Sequence, residues 1–135
     1  MFTAPEAKVL IVDDIKTNLK VVSNFLEPYN MIVDMCLNGN DAIEMTKVER
    51  YDLIFMDYRM PGMDGVETTK RIREIADDDT FYTNLPIIAI TADVIEGRRE
   101  MLIENGFNDF MTKPIDIDKL NNILEKWIPK HKQEK

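Results

Sequence analysis

The fold is decided by residues 51–62, which read YDLIFMDYRMPG. Leu53–Met56 is an apolar run too short for a buried helix and typical of a central strand that is buried on both faces. The run ends at Asp57, and the Met-Pro-Gly sequence a little further on is characteristic of a turn. We therefore expect the Asp57 carboxylate to emerge at the carboxyl end of a central strand, where open α/β sheets bind their ligands.

Length, charge and cysteine content narrow the class of protein. The chain has 135 residues, enough for one domain with a single core. Its one cysteine, Cys36, lies among apolar residues and is predicted to be a small core residue rather than a reactive thiol. A net charge of −8 argues against direct binding to nucleic acid or to an anionic membrane. With neither a membrane-span pattern nor a signal-peptide pattern, we expect a cytoplasmic protein that does not contact a membrane.

Strand-length apolar runs alternate with segments of helical periodicity along the chain. We predict a domain over residues 8–128, with a leader or linker remnant at 1–7 and a flexible tail at 129–135. Residues 77–84 are predicted to form an acidic loop, and Gly106 a left-handed helix cap. The predicted strands are Val9–Val12, Ile32–Leu37, Leu53–Met56, Ile87–Ile90 and Phe107–Met111. The predicted helices run from Thr17 until Pro28, from the capping sequence Asn38-Gly39-Asn40 to Glu49, and over Val66–Ala76, Val94–Asn105 and Ile117–Trp127. Val48 and Ile117 are among the residues predicted to face inward.

Alternating strands and helices of this kind predict an α/β fold. Right-handed crossovers between successive strands make the sheet parallel and place helices on both of its faces. The sequence therefore predicts a five-stranded, doubly wound parallel sheet with five helices.

Polar residues follow four of the five predicted strands. Asp13 and Asp14, Asp57, Thr91 and Lys113 should meet at one edge, because the carboxyl ends of parallel strands lie together. Two carboxylates about 4 Å apart repel by roughly 4 kcal/mol at an effective dielectric constant near 20. Such a cluster should attract a cation, and oxygen ligands with room for water suit Mg²⁺. A metal, a nucleophilic carboxylate, a lysine and a hydroxyl together predict a site for phosphoryl transfer.

The ordered set of motifs resembles the receiver domain of two-component response regulators, over about Lys8 to Trp127. The matching residues are Asp13-Asp14, residues 56–65 (MDYRMPGMDG), Thr91-Ala92 and Lys113-Pro114. The resemblance implies a flavodoxin-like strand order, 2-1-3-4-5. It also implies that Asp57 accepts a phosphoryl group from a phosphohistidine on a histidine kinase or a histidine phosphotransfer domain. A homodimer that forms on phosphorylation is left open.

The same resemblance implies roles for the other site residues. Mg²⁺ would be bound by Asp14, Asp57 and the backbone carbonyl of Arg59, and by Asp13 through water. The phosphoryl oxygens would be held by Lys113, Thr91 and the Ala92 amide, and the Lys113-Pro114 peptide is expected to be cis. The switch aromatic of the family corresponds to Phe110, where a tyrosine is commoner; ring movement toward Thr91 is retained, but a hydroxyl contact to a partner is lost.

Two other functions would use a similar set of residues. A haloacid-dehalogenase-like phosphatase would also use an aspartyl nucleophile and Mg²⁺, but it places a second aspartate two residues later, where this chain has Arg59. A receiver-like interaction domain that is never phosphorylated would be expected to lack an acidic site residue or the lysine. Both a stand-alone regulator and a part of a hybrid sensor histidine kinase fit the chain, with a slight preference for the hybrid kinase.

Two charged residues flank the predicted site. Arg59 follows the acceptor by two positions and Asp93 follows Thr91 by two. A directional ion pair between them would obstruct the water that hydrolyses the phosphoryl group, and the alternative, that both point into solvent, is nearly as well supported.

Overall fold

The computed structural model describes residues 2–76, 80–92 and 98–135. The strands are β1 (Lys8–Val12), β2 (Ile32–Cys36), β3 (Leu53–Asp57), β4 (Ile87–Thr91) and β5 (Asp109–Thr112). The helices are α1 (Lys16–Leu26), α2 (Gly39–Val48), α3 (Gly65–Arg73), α4 (Phe81–Asn84), α5 (Arg98–Glu104) and α6 (Ile117–Trp127). Short 3₁₀ turns cover Glu27–Tyr29 and Lys130–Lys132.

The strands form one parallel sheet in the order β2-β1-β3-β4-β5, with β3 at its centre. All five residues of β3 are buried, as expected for a strand covered on both faces. The predicted doubly wound sheet and its 2-1-3-4-5 order are thus confirmed.

Alternate residues of the strands enter two separate core layers. In β3, Leu53 and Phe55 pack into the layer beneath α1 and α6, whereas Ile54 and Met56 pack into the layer beneath α2, α3 and α5. This division follows from the two-residue period of a strand, which sends successive side chains to opposite faces. Cys36 is buried in the second layer, as predicted, and burial raises the pKa of its thiol to about 11.

Polar side chains cap the start of α2 and of α3, and a glycine lies just after the end of α5. The Asn38 side chain accepts a hydrogen bond from the Asp41 amide at 2.8 Å, and Asp64 accepts one from the Glu67 amide at 2.9 Å. Gly106 has φ of +99°, which confirms the predicted left-handed residue after a helix.

Several local predictions are wrong. The loop predicted over 77–84 contains the helical turn α4 in the part that the structure describes, so six helices are described rather than five. Val48 and Ile117 were expected to face inward, but they are 83% and 55% exposed. Val48 is the last residue of α2 and Ile117 is the first residue of α6. A terminal residue has helix neighbours on one side only, so its side chain is covered less. Of the predicted helix Val94–Asn105, residues 94–97 lie outside the described residues, as do residues 77–79.

The expected leader and flexible tail are packed against each other instead. Thr3 and Glu134 form an antiparallel bridge, with N–H to O distances of 2.9 and 2.7 Å. Phe2 is 3% exposed, and its ring packs in a T-shaped arrangement with the ring of Tyr29, at a centroid distance of 5.2 Å. The ammonium nitrogen of Lys132 forms an ion pair with Oδ2 of Asp52 at 3.0 Å. The segments on either side of the predicted domain therefore contribute to its core and to its surface ion pairs.

None of the helices that the structure describes combines the length and the apolar character needed to cross a bilayer.

Candidate functional site

Three carboxylates meet at the carboxyl edge of the sheet. Asp57 is the last residue of β3, and Asp13 follows β1, where its backbone N–H donates to the Cys36 carbonyl at 3.2 Å. One carboxylate oxygen from each of Asp13, Asp14 and Asp57 lies within 4.8 Å of the others. Asp13 and Asp57 are buried, whereas Asp14 is half-buried. The structure therefore brings together the three acidic residues that the sequence selected.

Lys113 contacts two of these carboxylates. Its ammonium nitrogen lies 3.3 Å from Oδ1 of Asp57 and 3.5 Å from Oδ2 of Asp13. The backbone holds this lysine in place, because its N–H donates to the Thr91 carbonyl at 2.9 Å. The Lys113-Pro114 peptide is cis, as the resemblance implied.

The cluster has an electrostatic imbalance. Burial raises the pKa of Asp57 to about 6, and the nearby negative charge of Asp13 adds to the effect, while Lys113 opposes it. One lysine between buried carboxylates leaves net negative charge in a poorly solvated place. The donor set is all oxygen and anionic, which fits a hard divalent cation such as Mg²⁺.

Thr91 and Phe110 lie on β4 and β5, and Ala92 directly follows β4. Thr91 is the buried last residue of β4, and Ala92, the next residue, is exposed. Phe110 lies in β5, paired with Ala89, and is partly buried against the second core layer. Thr91 therefore lies at the same edge as the carboxylates, and Phe110 lies farther down the sheet.

The loop after β3 folds back against the strand that it leaves. The Gly65 N–H donates to the Tyr58 carbonyl at 3.1 Å, and a Cβ atom at Gly65 would lie 2.3 Å from the Asp57 carbonyl oxygen. Only glycine permits this approach. Sequence reasoning included Gly65 in a motif but missed this role, since the contact depends on how the loop closes.

Arg59 is exposed, and its guanidinium lies 5.9 Å from the centroid of the Tyr58 ring. Asp93 lies outside the described residues, so the Arg59 and Asp93 ion pair stays a prediction.

Comparisons with known proteins agree on one family. Residues 9–125 match the family model of the response regulator receiver domain. The chain is 36% identical over 121 residues to the signal transduction histidine-protein kinase BarA of Escherichia coli K12, covering 90% of this chain and 13% of that kinase. It is 37% identical over 122 residues to hybrid signal transduction histidine kinase M of Dictyostelium discoideum, covering 89% of this chain and 5% of that protein. The chain thus spans only a small part of the length of these relatives.

Two solved structures are similar over most of the chain. The receiver domain of sensor histidine kinase PA1611 from Pseudomonas aeruginosa PAO1, crystallised with magnesium coordinated in its active site cleft, has a TM-score of 0.78 and 33% identity, covering 91% of this chain and 98% of that one. The receiver domain of the Saccharomyces cerevisiae response regulator Ssk1, in complex with the histidine phosphotransfer protein Ypd1, has a TM-score of 0.82 and 27% identity, covering 93% and 91%.

Proposed function

The chain belongs to the response regulator receiver domain family of two-component phosphorelays, and we propose that Asp57 is its phosphoacceptor. The observation that carries this assignment is the cluster of Asp57, Asp13, Asp14 and Lys113 at the end of the central strand, in which Asp57 and Asp13 are buried. In the reaction the P–N bond of a partner phosphohistidine breaks as a P–O bond forms to Asp57, and the imidazole nitrogen keeps the electron pair. The product is an acyl phosphate on this domain.

The residues around Asp57 would bind either the metal ion or the phosphoryl oxygens during this transfer. Asp14, Asp57 and the Arg59 carbonyl would hold Mg²⁺ directly, with Asp13 acting through water. When bound, the ion supplies positive charge where phosphoryl oxygens crowd the carboxylates. Lys113 exchanges its contact with Asp57 for one with the incoming phosphoryl oxygen, and the Thr91 hydroxyl and the Ala92 amide donate hydrogen bonds to the other oxygens.

The output of the domain is a change in its own surface. Thr91 moves toward the phosphoryl group and Phe110 follows into the space that it leaves, which changes the surface around β5 and α6. The domain catalyses only its own phosphorylation and dephosphorylation, so it is a signalling module and not an enzyme acting on a separate substrate.

The phosphodonor is a histidine kinase or a histidine phosphotransfer domain. A groove beside the site is lined by Val21 and Phe25 of α1 and by Pro114 and Ile115 after β5, and Lys113 and Asp13 of the site also line it. Val21 is 47% exposed, and Ile15, which precedes α1, is 49% exposed. An apolar surface on a helix of the donor would bury these side chains and bring its phosphohistidine to Asp57.

Intact-mass measurement tests the assignment. We expect phosphoramidate and Mg²⁺ to add one phosphoryl group to the wild type and none to Asp57→Asn. Asp64→Asn is the matched control, because Asp64 is a neighbouring carboxylate that caps α3 and asparagine caps equally well. Undiminished labelling of Asp57→Asn would contradict the assignment.

The alternative functions give different results in this experiment and in a phosphate-release assay. A wild-type protein that stays unlabelled would be a receiver-like interaction domain. Release of many phosphates per protein molecule from a small phosphate monoester would indicate a phosphatase.

A further inference from the structure

Lys119 of α6 reaches past the edge of the sheet to the ring of Phe110. β5 is an edge strand, and Phe110 packs on the face covered by α2, α3 and α5, whereas α6 covers the opposite face. The Lys119 ammonium nitrogen nevertheless lies 5.2 Å from the centroid of the Phe110 ring. This distance is within the range of a cation–π interaction.

The backbone on both sides of this contact is anchored. Leu120, the residue after Lys119, is completely buried between α6 and the sheet. Asp109, the residue before Phe110, is 8% exposed, and its Oδ2 accepts a hydrogen bond from Nε1 of Trp127 at 3.2 Å. Asp109 thus joins β5 to the last residue of α6, and Leu120 anchors the same helix directly beside Lys119.

We propose that Lys119 is a positioning residue that holds Phe110 in its resting place, an inference that rests on the switch role of Phe110 under the proposed function. The ammonium group attracts the face of the ring where the ring now lies. Movement of the ring toward Thr91 carries it away from α6 and breaks the contact. Because the contact exists in one state only, it shifts the equilibrium toward the resting state.

The direction of this effect is opposite to that of simple electrostatics. Removing a positive charge near an anion-binding site weakens anion binding through the lost attraction. Removing the contact that restrains Phe110 strengthens binding of a phosphoryl analogue, because less free energy is spent on moving the ring. The sign of the change therefore separates a positioning role from a general charge effect.

The test is a calorimetric titration with beryllofluoride and Mg²⁺. We expect Lys119→Met to bind beryllofluoride about two- to fivefold more tightly than the wild type, the change given by loss of one exposed cation–π contact. Lys119→Arg should behave like the wild type, since a guanidinium also binds a ring face. Lys126→Met is the matched control: Lys126 is on the same helix and lies 5.0 Å from the ring of Trp127, away from Phe110.

A double-mutant cycle completes the experiment. In a Phe110→Leu background the Lys119→Met change should leave the affinity unaltered. The inference would be overturned if Lys119→Met bound beryllofluoride no more tightly than the wild type. It would also be overturned if Lys119→Met raised the affinity equally in the Phe110 and Phe110→Leu backgrounds. A wild type that does not bind beryllofluoride would overturn the proposed function itself, so the two failures are distinguishable.

Discussion

The two edges of the sheet handle charge in opposite ways. At the carboxyl edge Asp13, Asp14 and Asp57 crowd together, and Lys113 contacts only two of them. At the amino edge, Arg73 in the last turn of α3 donates to backbone carbonyls and to the side chain of Asn108. The first arrangement keeps like charges close and favours an incoming cation, whereas the second satisfies a half-buried cation with aligned acceptors.

This difference separates the parts of the molecule that react from the parts that hold it together. Arg73 connects α3 to the carbonyls of Tyr82, Thr83 and Leu85 before β4 and to Gly106 before β5. Its acceptor Asn108 also receives the N–H of Ile87 at 2.8 Å. The amino edge is therefore a base cross-linked by hydrogen bonds, without the like-charge crowding of the carboxyl edge.

The largest expected effect is on stability, from removing the Arg73 contacts at the amino edge. We expect Arg73→Leu to lower the free energy of unfolding by about 3 kcal/mol, because it leaves several carbonyls without a donor. Arg71→Leu is the control, since Arg71 is exposed and, within the part of the chain that the structure describes, pairs with Glu67 one turn away, a contact worth about 0.5 kcal/mol. Urea denaturation measures both. Equal losses in the two variants would show that the Arg73 contacts do not hold the base together.

A smaller effect sharpens the description of the carboxyl edge. Because the pKa of Asp57 is raised from 3.8 to about 6, the folded state binds more protons than the unfolded state between those values. The stability from this proton is fully present below pH 3.8 and is lost as the pH rises through 6. Stabilisation by Mg²⁺ should therefore grow over the same pH range, to about 2.7 kcal/mol at 100 times the dissociation constant.

Thermal unfolding at pH 5 and pH 7.5, with and without Mg²⁺, measures this gain. Asp14→Ala is the comparison variant because it removes one carboxylate of the cluster and leaves Asp57 in place. If Asp14→Ala responds to Mg²⁺ as strongly as the wild type, the ion binds elsewhere.

The smallest effect concerns the paired terminal segments at the amino edge. Phe2→Ala removes a buried ring from the Tyr29 contact and should cost about 2 kcal/mol, less than for a central core residue because a terminal segment can fray. Phosphorylation should be unchanged, since the two edges act separately. Val48→Ala is the control at an exposed apolar position. If Phe2→Ala and the control had the same midpoint of urea unfolding, residues 1–7 would not contribute to stability, in agreement with the domain boundary predicted at residue 8.

The carboxyl edge was predictable because its information is local. Asp57 and Thr91 each follow an apolar run, and a parallel sheet places the ends of such runs together. Arg73 could not be identified in this way. In the sequence it is one of three basic residues in the last turn of an amphipathic helix, beside Lys70 and Arg71, and its acceptors lie as far away as residue 108.

The sequence by itself determined the doubly wound parallel sheet, its central strand and the residues at its carboxyl edge, because hydrophobic periodicity and strand ends are set by neighbours in the chain. Tertiary structure alone decided that Lys113 contacts two carboxylates, that Thr3 pairs with Glu134, and that Lys119 reaches the ring of Phe110. These contacts join segments that are distant in sequence or cross an edge of the sheet. Their geometry depends on how whole layers pack, which no local pattern records.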